Sequence, residues 1–193
     1  MFAAILDTNV LLPSLQRDFL LSMAVEGLYR PLWSEAILEE LRRHETRLRV
    51  ERGADPAAAA ARADRLIEKM PTHFDDALVT DWEGLDDTCG LPDPDDEHVV
   101  AAAVVGRAGT IVTENFKHLP AELVPNRIQV LHAKDFAANT ADVNPGRAAT
   151  ALRVLAARFH TPPTTPREVL KVLVTRYDMA DVGEILEPVL DDG

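Results

Sequence analysis

Phe2-Ala3-Ala4-Ile5-Leu6 is an unbroken apolar run that stops at Asp7. A run this short, with no polar position on either face, reads as a strand covered on both sides, as in a parallel sheet. Thr110-Ile111-Val112-Thr113 and Ile128-Gln129-Val130-Leu131 are a second and a third buried-strand candidate. Pro31-Leu32-Trp33 is a brief extended piece, and Ala77-Leu78-Val79 is a further strand candidate. Between these runs the apolar spacing is helical. Leu15, Phe19, Leu20, Met23 and Leu28 form one stripe over residues 15–28. Ile37, Leu38, Leu41 and Leu48 form another, from an N-cap at Ser34 to about Arg52. Asp55-Pro56 opens a helix through an alanine run to Met70, and Trp82 to Leu91 reads as a turn with a short helix. Asp93-Pro94 opens a helix that runs to about Arg107 and is ended by Gly109. Strands alternating with helices predict an α/β fold, a mainly parallel central sheet with helices on both faces.

From Lys134 onward the pattern is helical and carries no chemical motif. Asn139 to Pro145 reads as a loop, and residues 146–160 as a helix bearing Leu152, Leu155 and Phe159. Thr165-Pro166-Arg167-Glu168 matches a capping box, and a last helix is predicted over 180–190. The expected division is therefore a domain over 1–133 and an all-helical C-terminal extension over 134–193. The lone cysteine, Cys89, excludes an intrachain disulfide, fits a reducing compartment, and reads as an inert thiol. No run approaches the ~20 apolar residues of a membrane helix, so a cytoplasmic protein without a membrane partner is expected. A net charge of −12, from 32 acidic and 20 basic residues, argues against nucleic-acid binding by bulk electrostatics. Aromatic residues are 5% of the chain, too few for a base-stacking surface; Trp33 and Trp82 read as packing residues.

The chemistry points to carboxylates. Asp7 directly follows a buried strand, and ligands of open α/β sheets bind beyond the carboxyl ends of strands. Glu114 and Asn115 occupy the same kind of position after 110–113. Asp93, Asp95 and Asp96 crowd one helix start, where capping accounts for one or two of them. Glu39 and Glu40 lie farther into a helix, where a solvated face is the plain alternative. Two strand ends and two helices can gather Asp7, Glu40, Asp96 and Asn115 in one cleft. Clustered oxygens suit Mg²⁺ or Mn²⁺.

These same segments resemble the motifs of PIN-domain ribonucleases, in order. Ile5-Leu6-Asp7-Thr8-Asn9-Val10-Leu11-Leu12 is similar to the opening strand, and Ser34-Glu35-Ala36-Ile37-Leu38-Glu39-Glu40-Leu41 to the second motif. Asp93 to Ala103 is similar to the third, with Asp96 at the acidic position. Ile111-Val112-Thr113-Glu114-Asn115-Phe116-Lys117-His118-Leu119-Pro120 is similar to the fourth. The resemblance covers about residues 1–133 and implies a three-layer PIN-like domain. It implies further a VapC-type toxin: a Mg²⁺- or Mn²⁺-dependent endoribonuclease restrained by a cognate antitoxin, expected as a homodimer. Asp7, Glu40 and Asp96 would hold the metal and Asn115 would assist. Attack on RNA would come from a metal-activated water, with Thr8, Asn9, Asp93 and Thr113 in support. The extension over 134–193 resembles that of one VapC subgroup. Asn115 departs from the aspartate common at this place, as do His118 and Leu119 from Asp-Phe.

Other readings are a catalytically weak PIN-like module that binds a partner protein, and an RNA-processing nuclease without an antitoxin. An aspartyl-phosphate phosphatase would want an acid two residues after Asp7, where Asn9 stands, and a receiver domain's acidic pair and late lysine are not evident. The six histidines, His118 among them, show no metal-ligand spacing, and His118 reads as a surface residue. Residues 42–69 hold eight basic residues against five acidic ones, an excess in an otherwise acidic chain. Either two solvated helices laced with ion pairs, or an RNA or antitoxin contact built on Arg42, Arg43 and Arg47, accounts for them.

Overall fold

The computed structural model describes residues 2–86 and 88–191. Its five-stranded sheet has the order β3-β2-β1-β4-β5, from β1 (Ala3–Leu6), β2 (Arg30–Ser34), β3 (Leu78–Val79), β4 (Thr110–Val112) and β5 (Gln129–Leu131). β1 pairs with β4 in parallel, Ile5 opposite Ile111 and Leu6 opposite Val112, and β2 pairs with β3 in parallel. Ile5, Leu6, Ile111 and Val112 are fully buried, so both strands are covered on both faces, as expected of buried strands.

The chain divides into two compact units. The first comprises residues 2–12 and 31–130 and contains most of the sheet. With it go α1 (Thr8–Leu11), α3 (Glu35–Glu51), α4 (Pro56–His73) and α5 (Glu97–Val105). α3 begins at Ser34, whose hydroxyl accepts from Ile37 N at 3.2 Å, and it buries Ile37, Leu38 and Leu41. α4 begins at Asp55, which accepts from Ala58 N, and it packs along α3. It runs beyond the expected end at Met70, through Pro71 to His73, because Thr72 and Phe74 return hydrogen bonds to Glu68 and Met70. Trp33 is fully buried edge-on against Phe74.

α5 is buried nearly all round, over Glu97 to Ala103. Its start lies where Asp93-Pro94 places it, but Pro94–Asp96 form a tighter 3₁₀ turn first. The Glu97 carboxylate is buried and accepts from the backbone of Cys89 and Leu91, both at 2.8 Å, which ties the preceding loop to the helix. The helix ends at Gly106, not at Gly109. A Cβ at Gly106 would lie 2.8 Å from Val79 Cγ2 and 3.0 Å from Leu32 Cδ1, so the missing side chain lets helix and sheet approach. Gly109 instead lies just before β4, its N–H donating to Ala3 O.

The second unit comprises residues 13–30 and those from Leu131 onward. It is built from α2 (Ser14–Val25), α6 (Ala133–Val143), α7 (Pro145–Ala156), α8 (Pro166–Tyr177) and α9 (Ala180–Asp191). Residues 139–143, expected as loop, are helical. Ala133, Phe136, Ala137, Thr140 and Ala141 make a helical stripe, but its members are small and the intervening Asn139 and Asp142 look like turn residues. α2 packs on α7, and Tyr29 stands edge-on to Phe136 at 4.8 Å. The capping box at Thr165 and Glu168 is formed in both directions. Among the described residues no helix is long and apolar enough to cross a membrane.

Gly106→Ala is expected to cost about 1–3 kcal/mol by overpacking against Val79 and Leu32. A urea midpoint equal to that of the wild type would refute the close approach as a constraint.

Candidate active site

β1 and β4 are neighbours where the strand order reverses, and the crevice beyond their carboxyl ends is the usual ligand position of such sheets. The residues that follow the last paired positions, Leu6 and Val112, are Asp7 and Thr113. Register therefore brings them side by side, and Asp7 N donates to Val112 O at 3.0 Å. Asp7 is 3% exposed and Thr113 fully buried.

Three donors converge on the Asp7 carboxylate. Oδ1 accepts from Thr8 N at 2.6 Å; Oδ2 accepts from Thr113 Oγ1 at 2.6 Å and from Asn9 Nδ2 at 2.5 Å. The Thr113 hydroxyl also accepts from Asn9 Nδ2 at 3.1 Å and from Asn115 N at 2.9 Å, so its donor and both lone pairs are used. Asn9 Oδ1 accepts from Glu114 N at 2.8 Å. Every polar atom of the Asn9 side chain thus joins the end of β1 to the loop after β4.

Two arms extend from this centre. On one, Thr8 Oγ1 donates to Glu40 Oε2 at 2.9 Å, and Glu40 Oε1 lies 3.6 Å from His98 Nε2. On the other, Asn115 Nδ2 donates to Asp96 Oδ2 at 3.0 Å. Asp7, Thr8, Asn9, Glu40, Asp96, Thr113 and Asn115 therefore belong to one connected network. Asp93 joins it through His118, whose Nδ1 is 3.1 Å from Asp96 Oδ2 and 3.2 Å from Asp93 Oδ2. His118 is thus half-buried among carboxylates, not the plain surface residue its sequence context predicts. Asp95 is exposed and outside the network, and Glu39 is turned to Arg42.

Burial pushes the Asp7 carboxyl above the ordinary aspartate range, the Thr113 and Thr8 hydrogen bonds oppose this, and the charges of Asp96 and Glu40 add to it. Asp96 is raised by burial and then by Asp93, with His118 opposing and Glu40 adding. Burial would raise Glu40 too, but the His98 imidazole 3.6 Å away and the hydrogen bond from Thr8 outweigh it and hold the carboxyl below the usual range. Two acids pushed up beside a third held down are what crowded carboxylates show when their surroundings differ.

The donor set fits a divalent cation. A carboxylate offers about four lone pairs, and three on Asp7 are taken, leaving one on Oδ1. Both bonds to Asp96 fall on Oδ2, leaving Oδ1 for a ligand. Among the described residues, the acids and histidine whose donor atoms lie within 4.8 Å of one another are Asp93, Asp96 and His118, an arrangement able to hold a metal; Asp7 and Glu40 are outside that group and are joined to it through the hydrogen-bond network.

Three of the eight basic residues of the 42–69 stretch are paired with acids among the described residues. Arg42 makes a two-pronged bond to Glu39 at 2.8 Å and reaches Asp64 at 3.6 Å; Arg47 meets Glu51 at 3.8 Å, and Arg49 pairs with Glu45. Arg43 is exposed and has no ion pair among the described residues.

A parallel α/β sheet with carboxylates massed at its switch point defines a class of cation-holding site. The chain belongs to the PIN domain family, whose sequence model matches residues 3–117. Over 79 residues it is 38% identical to the protein named "Putative ribonuclease VapC50" of Mycobacterium tuberculosis, an alignment covering 40% of this chain and 47% of that protein. The chain thus spans about half the length of the curated relative it matches. No solved structure matches it.

Thr113→Val leaves Asp7 short of a donor and Asn115 N short of an acceptor in a buried place. A loss of about 1–3 kcal/mol in denaturant unfolding is expected, with Thr113→Ser recovering most of it. Equal stability of the valine variant and the wild type would contradict the assigned network.

Proposed function

We propose that the chain is a divalent-metal-dependent endoribonuclease, the toxin of a toxin–antitoxin pair. The observation that carries the reading is the joining of Asp7, Glu40 and Asp96 at the carboxyl ends of β1 and β4, with burial and like charge raising Asp7 and Asp96. The ribonuclease in the mycobacterial relative's name supports RNA as the substrate class, and its VapC designation supports a protein antitoxin as partner. A soluble cytoplasmic homodimer belongs to the same reading. So does a nuclease domain over 1–133 with a helical extension over 134–193, although α2 packs with the helices of the extension.

Asp7, Glu40 and Asp96 hold the metal, Mg²⁺ or Mn²⁺. Bound there, the cation supplies positive charge to the scissile phosphate and makes water a better nucleophile at neutral pH. Asn115 sets the Asp96 carboxylate by donating to Oδ2 and so turns Oδ1 to the site. Thr8 does the same for Glu40, while Thr113 and Asn9 hold Asp7 against the end of β4. Asp93, beside His118, adds negative charge at the rim. Hydrolysis adds water across a P–O bond and leaves two RNA ends.

Asp7→Asn is expected to lower RNA cleavage by on the order of 10²–10³-fold with the fold intact. Chelation with EDTA should abolish wild-type cleavage, and Mn²⁺ should raise the melting temperature of the wild type only. Mapping RNA 5′ ends after induction in cells identifies the target: new ends with wild type and none with Asp7→Asn. Cleavage that survives both Asp7→Asn and EDTA would overturn the reading.

The exposed Arg43, flanked by the partly engaged Arg42 and Arg47, is the proposed contact to RNA backbone. Charge reversal at the three should weaken RNA binding and flatten its dependence on salt, the slope falling by roughly 0.7 for each phosphate that is no longer neutralised. An unchanged slope would assign this face elsewhere.

A further inference from the structure

His98 is 8% exposed and opens the first turn of a helix otherwise lined by valine and alanine. A histidine at such a place needs a reason, because an imidazole among apolar groups leaves polar nitrogens to satisfy. Only one of its nitrogens finds protein. Nε2 faces Glu40 Oε1 at 3.6 Å, whereas Nδ1 is buried with no hydrogen-bond partner among the described residues. The ring lies tilted against the Trp82 indole, centroids 5.9 Å apart, which limits its rotation. Across the same carboxylate, Thr8 Oγ1 donates to Oε2. Glu40 is thus approached on one oxygen from α5 and on the other from the end of β1.

This matters because Glu40 is a long side chain on a helix and its carboxylate is partly exposed. Left free, it loses rotamer entropy each time it engages a ligand. Hydrogen-bonded on one oxygen and flanked on the other by the imidazole at 3.6 Å, it meets a cation already oriented, and groups that orient metal ligands from behind are worth on the order of 10–100-fold in affinity.

We infer that His98 is a positioning residue for Glu40: with Thr8 it clamps the carboxylate in the orientation that serves the metal. The inference rests on the proposed metal-dependent reading. His98 itself does not touch RNA or the cation. Its effect passes through Glu40, and this separates it from a residue that only fills space.

Three substitutions separate these roles. His98→Gln carries an amide nitrogen where Nε2 stands. His98→Leu fills similar space without a donor, and His98→Asn is polar but too short to reach Glu40. Mn²⁺ dissociation constants are measured by calorimetry on the metal-free full chain, with melting curves to establish folding. Leu and Asn variants should bind Mn²⁺ on the order of 10–100-fold more weakly and Gln close to wild type. In a Glu40→Gln background, His98→Leu should add little further loss. Wild-type affinity in the Leu and Asn variants, or the same loss with and without the Glu40 carboxylate, would overturn the inference while leaving the metal centre standing. Absence of Mn²⁺ binding by the wild type would overturn the metal reading and this inference with it.

Discussion

The hydrogen bond from Thr113 to Asp7 fixes the relation between two strand ends on which the rest of the candidate site hangs. It arises from register. Leu6 pairs with Val112, so the next residues of β1 and β4 leave the sheet together. One is a buried acid and the other a hydroxyl able to satisfy it. A carboxylate so far from water is tolerated only with several donors. Here they come from Thr8, Asn9 and Thr113. From the same three residues the network reaches Glu40 on α3, through Thr8, and Asn115, through Thr113. Sheet register thus becomes side-chain placement without any long loop needing to be ordered first.

The cluster is built at some cost to the metal-free protein. Asp7 and Asp96 are held where burial and neighbouring charge disfavour ionisation, and the surrounding hydrogen bonds offset this only in part. Such an arrangement gains most from a cation, because each carboxylate that penalises its neighbours becomes a ligand once the charge is met. Glu40 differs. Thr8 and His98 keep it ionised before any cation arrives, so the three acids are not equivalent.

Much of this was legible in the sequence, and the physical reasons differ by element. The unbroken apolar run at 2–6 and the short Thr-Ile-Val-Thr piece at 110–113 identify buried strands, and an acid placed just past the first can hardly avoid the sheet's carboxyl edge. Ser34, Asp55 and Thr165 announce their helices because a cap is a local interaction with a local signature. The helix over 133–143 was hidden because its buried face is mostly alanine, which carries little periodic signal. His98 and His118 were hidden for another reason. Their partners, Glu40 at 58 positions' remove and Asp96 at 22, meet them only after the sheet has formed. The one local clue to His98 was its place at the head of a helix apolar all round, where a solvated histidine has nowhere to go.

The acidic balance of the chain also takes on a definite form. The positive excess over residues 42–69 offers charge to a polyanion, and α3 and α4 engage part of it internally. Arg42 is committed to Glu39 and Asp64, Arg47 to Glu51 and Arg49 to Glu45. Exposed pairs of this kind add little stability, but each one removes a charge that RNA could otherwise use. Arg43 is among the charges left, close enough to Glu40 for its charge to be felt there. A polyanion approaching a chain of net charge −12 therefore meets repulsion nearly everywhere. Attraction beside Glu40 comes from Arg43 and from whatever cation the carboxylates hold. Under the proposed function, binding of RNA is then coupled to loading of the metal, because the same carboxylates that repel phosphate when bare admit it when neutralised.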